Sequence, residues 1–209
     1  MADNKDINTR DAKLIQYLNE AYGKEKELET ALQAHIKLAA GRVTYKRRLE
    51  DHLKETKAQA RGLEKRIKQL GGKPEATDVA GIVTAVASKA VSAAKGPVHA
   101  LRGTSEAEKL LKNAKTELWN EYEEIGNYVA IEALAQTVGD KETEKLARDF
   151  RRQEERMAAF LVKLLPQLAK AVATEEIPAA ERRNGSSRRT SGARSRRGST
   201  SRRAAAGSA

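Results

Sequence analysis

The chain has no cysteine among its 209 residues. That removes disulfides, zinc–thiolate sites and cysteine nucleophiles, so any bound metal must be held by oxygen and imidazole. Aromatic residues make up only 4% of the chain, and there are four prolines. No run of about 18 apolar residues occurs, so no membrane-spanning segment is expected. The opening stretch, MADNKDINTRDAK, lacks a basic segment followed by an apolar one. A secretory signal is therefore not expected, and the cytoplasm is the expected address. No strand or hairpin pattern is found.

What is present favours amphipathic helices. Hydrophobic residues reach 39% and charged residues 33%, which suits helices with one solvated face and is too apolar for global disorder. The formal net charge is +11. From Arg182 to the end there are nine arginines and no acid, so only two of those charges remain on residues 1–181. The folded body is nearly neutral, and the basicity belongs to the tail.

Apolar residues recurring at helical spacing predict five segments, about 8–39, 43–70, 78–95, 105–138 and 141–172. The stripe of the first runs through Leu14, Leu18, Ala21, Glu25, Leu28, Leu32 and Ile36. That of the second passes through Leu49, His52, Thr56, Ala60, Leu63, Ile67 and Leu70. The fourth carries Ala114, Leu118, Glu121, Ile125, Tyr128, Ile131 and Ala135, and the fifth Leu146, Phe150, Glu154, Met157, Leu161, Leu164 and Leu168. Gly71-Gly72 and Gly139-Asp140 stop helices. Ser105 with Glu108 forms a candidate capping box, and Pro166 is expected to kink the fifth helix. The third segment is read as a crossover helix lying on the bundle, with a membrane-surface helix as its alternative. Short connections at 40–42 and 139–140 make two hairpins, and the stretch 71–104 joins them. The expected fold is all-α, a ferritin-like antiparallel four-helix bundle with a long crossover over residues 1–175, followed by a disordered tail over 176–209.

Each long stripe contains a polar residue where leucine is expected: Glu25, His52, Glu121 and Glu154. A charge on a core face is costly unless it is paired or binds a cation. Glu25, Glu55, Glu124 and Glu154 each lie about 15 residues, or roughly 22 Å, from their own hairpin turn. All should therefore meet in one layer at mid-height. His52 with Glu55, and Glu121 with Glu124, are spaced three apart and can share an ion. The set Glu25, His52, Glu55, Glu121, Glu124 and Glu154 is thus a candidate di-iron or di-manganese centre. The plainer alternative is a metal-free polar layer in which Glu25 or Glu154 pairs with arginines such as Arg151 and Arg152. Glu50, Asp51, Glu123 and Glu155 lie off the stripes and should be solvated. His35 and His99 have no partner at ligand spacing and are expected on the surface. Trp119, Tyr122 and Tyr128 flank the acids of the fourth segment. They are read as core or rim residues, with transfer of oxidising equivalents as the alternative.

These residues carry a resemblance. AYGKEKELETAL, with Glu25, is similar to the first helix of the YciE/YciF family of ferritin-like proteins. DHLKETKAQARGLE resembles that family's His-x-x-Glu-Thr segment at His52, Glu55 and Thr56. NEYEEIGNYVAIEALAQTVGD resembles its third-helix motif, matching Glu121, Glu124, Ile125, Tyr128 and Gly139, and RRQEERMAAFL its fourth, through Glu154. The match covers about residues 12–165, poorly over 73–104. It implies a ferritin-like bundle, a homodimer, a dinuclear metal centre and a stress-associated role, but supplies no reaction. The chain departs from the common ferritin-like ligand set, with Leu49 three residues before His52 and Met157 three after Glu154.

The tail reads AAERRNGSSRRTSGARSRRGSTSRRAAAGSA. Arg182, Arg183, Arg188, Arg189, Arg194, Arg196, Arg197, Arg202 and Arg203 sit among serine, glycine, threonine and alanine, with too little apolar surface to offset the entropy of ordering. Arginine pairs on such a chain suit the phosphates of DNA or RNA without sequence preference. Anionic lipid, acidic protein or plain solubility are the alternatives. Two functions follow: a metal-binding stress protein that oxidises iron or consumes peroxide, or a non-enzymatic DNA-associated bundle.

Overall fold

A computed structural model describes residues 7–75 and 105–183, the side chain of Arg183 excepted. Helices α1 (Thr9–Leu38), α2 (Val43–Gln69), α3 (Glu106–Thr137) and α4 (Lys141–Glu176) form the bundle, and a short α5 (Ala179–Arg183) follows. The helix anticipated at 78–95, His99 and the arginines from Arg188 onward lie outside the described residues.

The helix ends follow local chemistry. Asn8, Ser105 and Asp140 are N-caps, their side chains accepting from the amides of Asp11, Glu108 and Thr143 at 2.9, 3.1 and 3.0 Å. Each satisfies a donor that the first helical turn leaves free. α3 ends in Gly139, whose φ of +75° suits a residue without Cβ. The Asp140 amide then reaches back to the Ala135 carbonyl at 2.8 Å and the Gly139 amide to Gln136 at 3.2 Å, closing a Schellman turn. Asp140 thus closes α3 and caps α4. α4 passes through Pro166 as one helix and runs past the end expected near Val172.

α1 packs on α2 and α3, and α4 on α3 and α2. Leu32, Ala39 and Tyr45, beside the first turn, join Leu110, Leu161 and Leu168 in one apolar cluster. Leu18, Leu63 and Ile67 join Ile131 and Ala147, beside the second turn, in another. The two hairpin turns therefore lie at opposite ends, and all packed neighbours are antiparallel, as in ferritin-like bundles. At Gly62 an added Cβ would stand 2.6 Å from Cζ of Phe150, so α2 and α4 approach closely there. Phe150 in turn meets Tyr128 edge-on, with ring centroids 5.6 Å apart.

The buried faces repeat with a period of 3.5 residues. On α1 the buried positions are Leu14, Leu18, Ala21, Glu25, Leu28, Leu32 and His35. On α3 the seam runs through Leu110, Ala114, Glu117, Glu121, Glu124, Tyr128, Ile131 and Ala135. Strict alternation of three- and four-residue steps marks coiled-coil-like packing. It corrects the stripes at several points: His35 replaces Ile36, Glu117 replaces Leu118, Glu124 replaces Ile125 and Ala147 replaces Leu146.

α4 bears on the expectation that no segment spans a membrane. An 18-residue stretch of it has mean hydropathy 1.3, long and apolar enough by length and composition to cross a membrane. Among the described residues no other helix meets that test. The same helix carries Glu154 and places Leu161 and Leu168 in the core.

Candidate metal centre

Between the two apolar clusters the seams turn polar. α1 contributes Glu25, α2 contributes His52, Thr56 and Gln59, α3 contributes Glu117, Glu121 and Glu124, and α4 contributes Glu154; all are buried. Glu25, Glu121 and Glu154 have no exposed surface, and Glu124 and His52 keep 2% and 1%. Helix rise alone brings Glu25, Glu124 and Glu154 level, as their distances from the hairpin turns predict.

His52, Glu121, Glu124 and Glu154 offer ligand atoms that all lie within 4.8 Å of one another. His52 Nε2 is 3.1 Å from Glu121 Oε1 and 3.7 Å from Glu154 Oε2. Gln59 donates to Glu154 Oε1, and the Tyr128 hydroxyl donates to Glu25 Oε1. Glu25 also approaches Glu124 and Glu154 closely enough for their charges to interact. Glu55 stands outside this group. It is half-buried, faces the other ring nitrogen of His52 at 3.4 Å, and is tied to Arg48 at 3.0 Å.

The electrostatics follow from crowding acids into a dry layer. Burial, with the negative charge of Glu154, pushes Glu25 up to about 8. Burial also raises Glu154 to about 8, with Glu121 adding to the effect and His52 opposing it. Glu124 is raised well above the usual carboxylate range by burial and by Glu25, Glu154 and Glu121. For His52, burial opposes the charged ring, but Glu121, then Glu55 and Glu154, hold its pKa well above the ordinary value. Without a cation, protons must therefore neutralise the layer.

Arginine pairing does not account for these acids. Arg151 binds Glu132 and Glu155 instead. The nearby Lys24 is directed to Glu123 at 2.8 Å and to Asn120 at 3.3 Å. With every acid ionised, five carboxylate oxygens of the layer are buried with no hydrogen-bond partner: Glu25 Oε2, Glu121 Oε2, both oxygens of Glu124, and Glu154 Oε2; only protonation lets Glu124 bond Glu25 and Glu154 bond Glu121. Buried polar atoms are ordinarily satisfied. A set of orphaned oxygens converging beside an imidazole is the donor arrangement that hard or borderline divalent cations take.

Other expectations resolve as follows. Glu50, Asp51, Glu123 and Glu155 are exposed. Trp119 and Tyr122 point outward, 74% and 58% exposed, so only Tyr128 flanks the layer. His35 is not a surface residue: it is 9% exposed, and its Nδ1 contacts Glu117 Oε1. Gln59 and Glu117 were missed because a 3.6-residue stripe passes beside them; a 3.5-residue period finds both. Arg182 is exposed on α5.

Comparisons with known proteins agree with the fold. The family model for a domain of unknown function, DUF892, matches residues 9–174. A protein of known structure from Xanthomonas campestris pv. campestris is 24% identical, with a TM-score of 0.61 over 80% of this chain and 97% of that one. YcfI from Rhodopseudomonas palustris is 22% identical, with a TM-score of 0.59 over 76% of this chain and 96% of that one. At these identities the likeness concerns the fold alone. No curated protein matches the chain.

Proposed function

This chain belongs to the DUF892 family, and from that premise and its own residues we propose that it is a ferritin-like protein of the YciE/YciF kind that binds two divalent cations at mid-bundle. The observation that carries the reading is the set of five buried, partnerless carboxylate oxygens around His52. Glu25, Glu121, Glu124 and Glu154 supply four negative charges, which two divalent cations balance. His52 Nε2 is the nitrogen ligand. Glu55 takes the role of an orienting residue, accepting from His52 Nδ1 and fixing the tautomer. A donor set this rich in oxygen suits iron or manganese better than zinc or copper. Bound there, such a pair supplies redox chemistry, the basis for a stress-protective role in oxidising ferrous iron or consuming peroxide.

Elemental analysis of protein purified without a histidine tag, before and after loading with ferrous iron or Mn(II), tests the centre. Close to two metals per chain is the expected result. Less than about 0.2 per chain after loading would leave a metal-free polar layer as the correct description.

Two partners are proposed beside it. The first is a second copy of this chain. Trp119, Tyr122, Gly126 and Val129 are exposed along the outer face of α3 with steps of three and four, an unpaired seam of the coiled-coil type. In an antiparallel pair of α3 helices centred near Glu124, Trp119 would face Val129 and Tyr122 would face Gly126, large against small in both cases. Sedimentation should give a dimer that Trp119→Ala with Tyr122→Ala converts to monomer; a wild-type monomer rejects this pairing. The second partner is nucleic acid, held by the arginines from Arg182 to Arg203. A chain ending at Ile177 should lose salt-sensitive retardation of DNA, and unchanged retardation would rule the tail out.

A further inference from the structure

His35 and Glu117 make a second buried polar contact, apart from the four-residue cluster. The packing of α1 against α3 brings His35 Nδ1 onto Glu117 Oε1. Glu117 is fully buried, while His35 keeps 9% of its surface exposed. The other Glu117 oxygen, Oε2, has no partner. Neither does the hydroxyl of Tyr45, a residue of α2 that is 2% exposed. Burial, and then the negative charges of Glu117 and Glu121, hold the Tyr45 phenol protonated, so it lies in the field of both carboxylates. Glu117 precedes Glu121 by four residues, which places it one turn, or about 6 Å, along α3 from the main layer.

An ordinary histidine–carboxylate pair accounts for one bond of this arrangement and leaves two buried polar atoms idle. We propose that His35 and Glu117 form an outer site for a divalent transition-metal cation, one helical turn from the main layer. Imidazole nitrogen and carboxylate oxygen are mixed donors that Fe(II), Mn(II) and Zn(II) accept, and the protonated Tyr45 phenol remains a hydrogen-bond donor rather than a ligand. With one formal negative charge against four in the inner layer, the outer site is the weaker. A cation held there is passed inward, and the partly exposed edge of His35 is where it arrives from solvent. That transit role rests on the inner centre proposed above; binding at His35 does not.

Zn(II) is a suitable probe because it is diamagnetic and leaves imidazole resonances visible. In the full chain, long-range nitrogen–proton spectra of the three histidines are recorded during zinc titration, with His35→Gln and His52→Gln supplying assignments. The His52 Nε2 resonance should respond first, and His35 Nδ1 should then move to the shift of a metal-bound nitrogen. Glu117→Gln, which preserves shape, should raise the zinc concentration needed for the His35 response by about tenfold or more. If His52 responds and His35 stays fixed at saturating zinc, the outer site is overturned and the inner one stands. If His35 responds and His52 does not, the outer site is supported and the inner reading fails. If neither moves, both fail, and the wild-type spectra alone decide this whatever the variants do to folding.

Discussion

Arg66 Nη2 meets Asp140 Oδ2 at 2.6 Å, and this contact fixes the end of α2 to the turn between α3 and α4. The same guanidinium donates to Thr143 Oγ1 at 2.8 Å and to Glu142 Oε2 at 2.6 Å. His52 lies 14 residues before Arg66, and Glu154 lies 14 residues after Asp140. The clasp therefore sets the register that makes them level. Asp140→Ala should cost about 1–3 kcal/mol, since it removes a cap and one of the two carboxylates that hold the Arg66 guanidinium, leaving Glu142 as its remaining anionic partner. Asp140→Asn, which keeps the cap, should cost less; chemical denaturation measures both. Burial opposes the Asp140 carboxylate, yet the Thr143 amide and Arg66 hold its pKa below the ordinary value. Its contribution is present at neutral pH and is lost as pH falls through that lowered value.

The inner carboxylates carry the opposite sign. Glu25 and Glu154 have folded-state values of about 8, above their unfolded values. The folded, metal-free chain therefore binds more protons than the unfolded chain between roughly pH 4.5 and 8, and its stability falls as pH rises through that window. Cations bind the deprotonated acids, so their affinity rises over the same range. Thermal melts of metal-free protein should show Tm decreasing from pH 5 to pH 8, and added Mn(II) should flatten or invert that slope. A metal-free Tm that climbs steadily to pH 8 contradicts the assignment.

Glu124 is the sharpest single test of the layer, because both of its oxygens are partnerless and three other acids face it. Glu124→Gln removes one of the crowded charges while keeping shape. Metal-free Tm should rise by about 3 °C or more at pH 8, while the gain on adding Mn(II) shrinks. A variant less stable in both states would mean that Glu124 serves packing alone.

Two glycines should respond in opposite directions. Gly126→Ala meets nothing within 4 Å in the single chain, so at concentrations that keep the chain monomeric the better helix former should stabilise it by about 0.5–1 kcal/mol. Gly62→Ala gains the same propensity but drives a methyl into Phe150. Overpacking there should leave a net loss of about 1–2 kcal/mol. Urea denaturation of the pair separates helix propensity from packing.

Much of this architecture is legible in the sequence. Helix limits follow from Asn8, Ser105, Gly71 and Gly139, whose capping chemistry is local. The level of the acids follows from counting residues back to two short turns. Periodicity was the weak link. Over one or two turns, 3.5 and 3.6 residues per turn pick the same positions; after several turns the seam drifts by a residue. Hence Leu32 is followed on the core face by His35 rather than Ile36, and Ala114 by Glu117 rather than Leu118. Glu55 has a different cause: stripe and seam of α2 both pass through Thr56, and the three-residue spacing of Glu55 from His52 leaves it at the edge beside Arg48. No periodicity reports a pairing such as His35 with Glu117, because it depends on which helices become neighbours.

The polar waist between two leucine-rich ends has a consequence for turnover. Each end has its own hairpin turn and its own apolar cluster, so each holds together without help from the middle. The middle is held by whatever neutralises its acids. Starved of cation at alkaline pH, the bundle would yield at its centre first, opening backbone near Glu124 to proteases while its ends stayed closed. If the proposed cations bind there, loading would seal that breach, and the lifetime of the protein would track their supply.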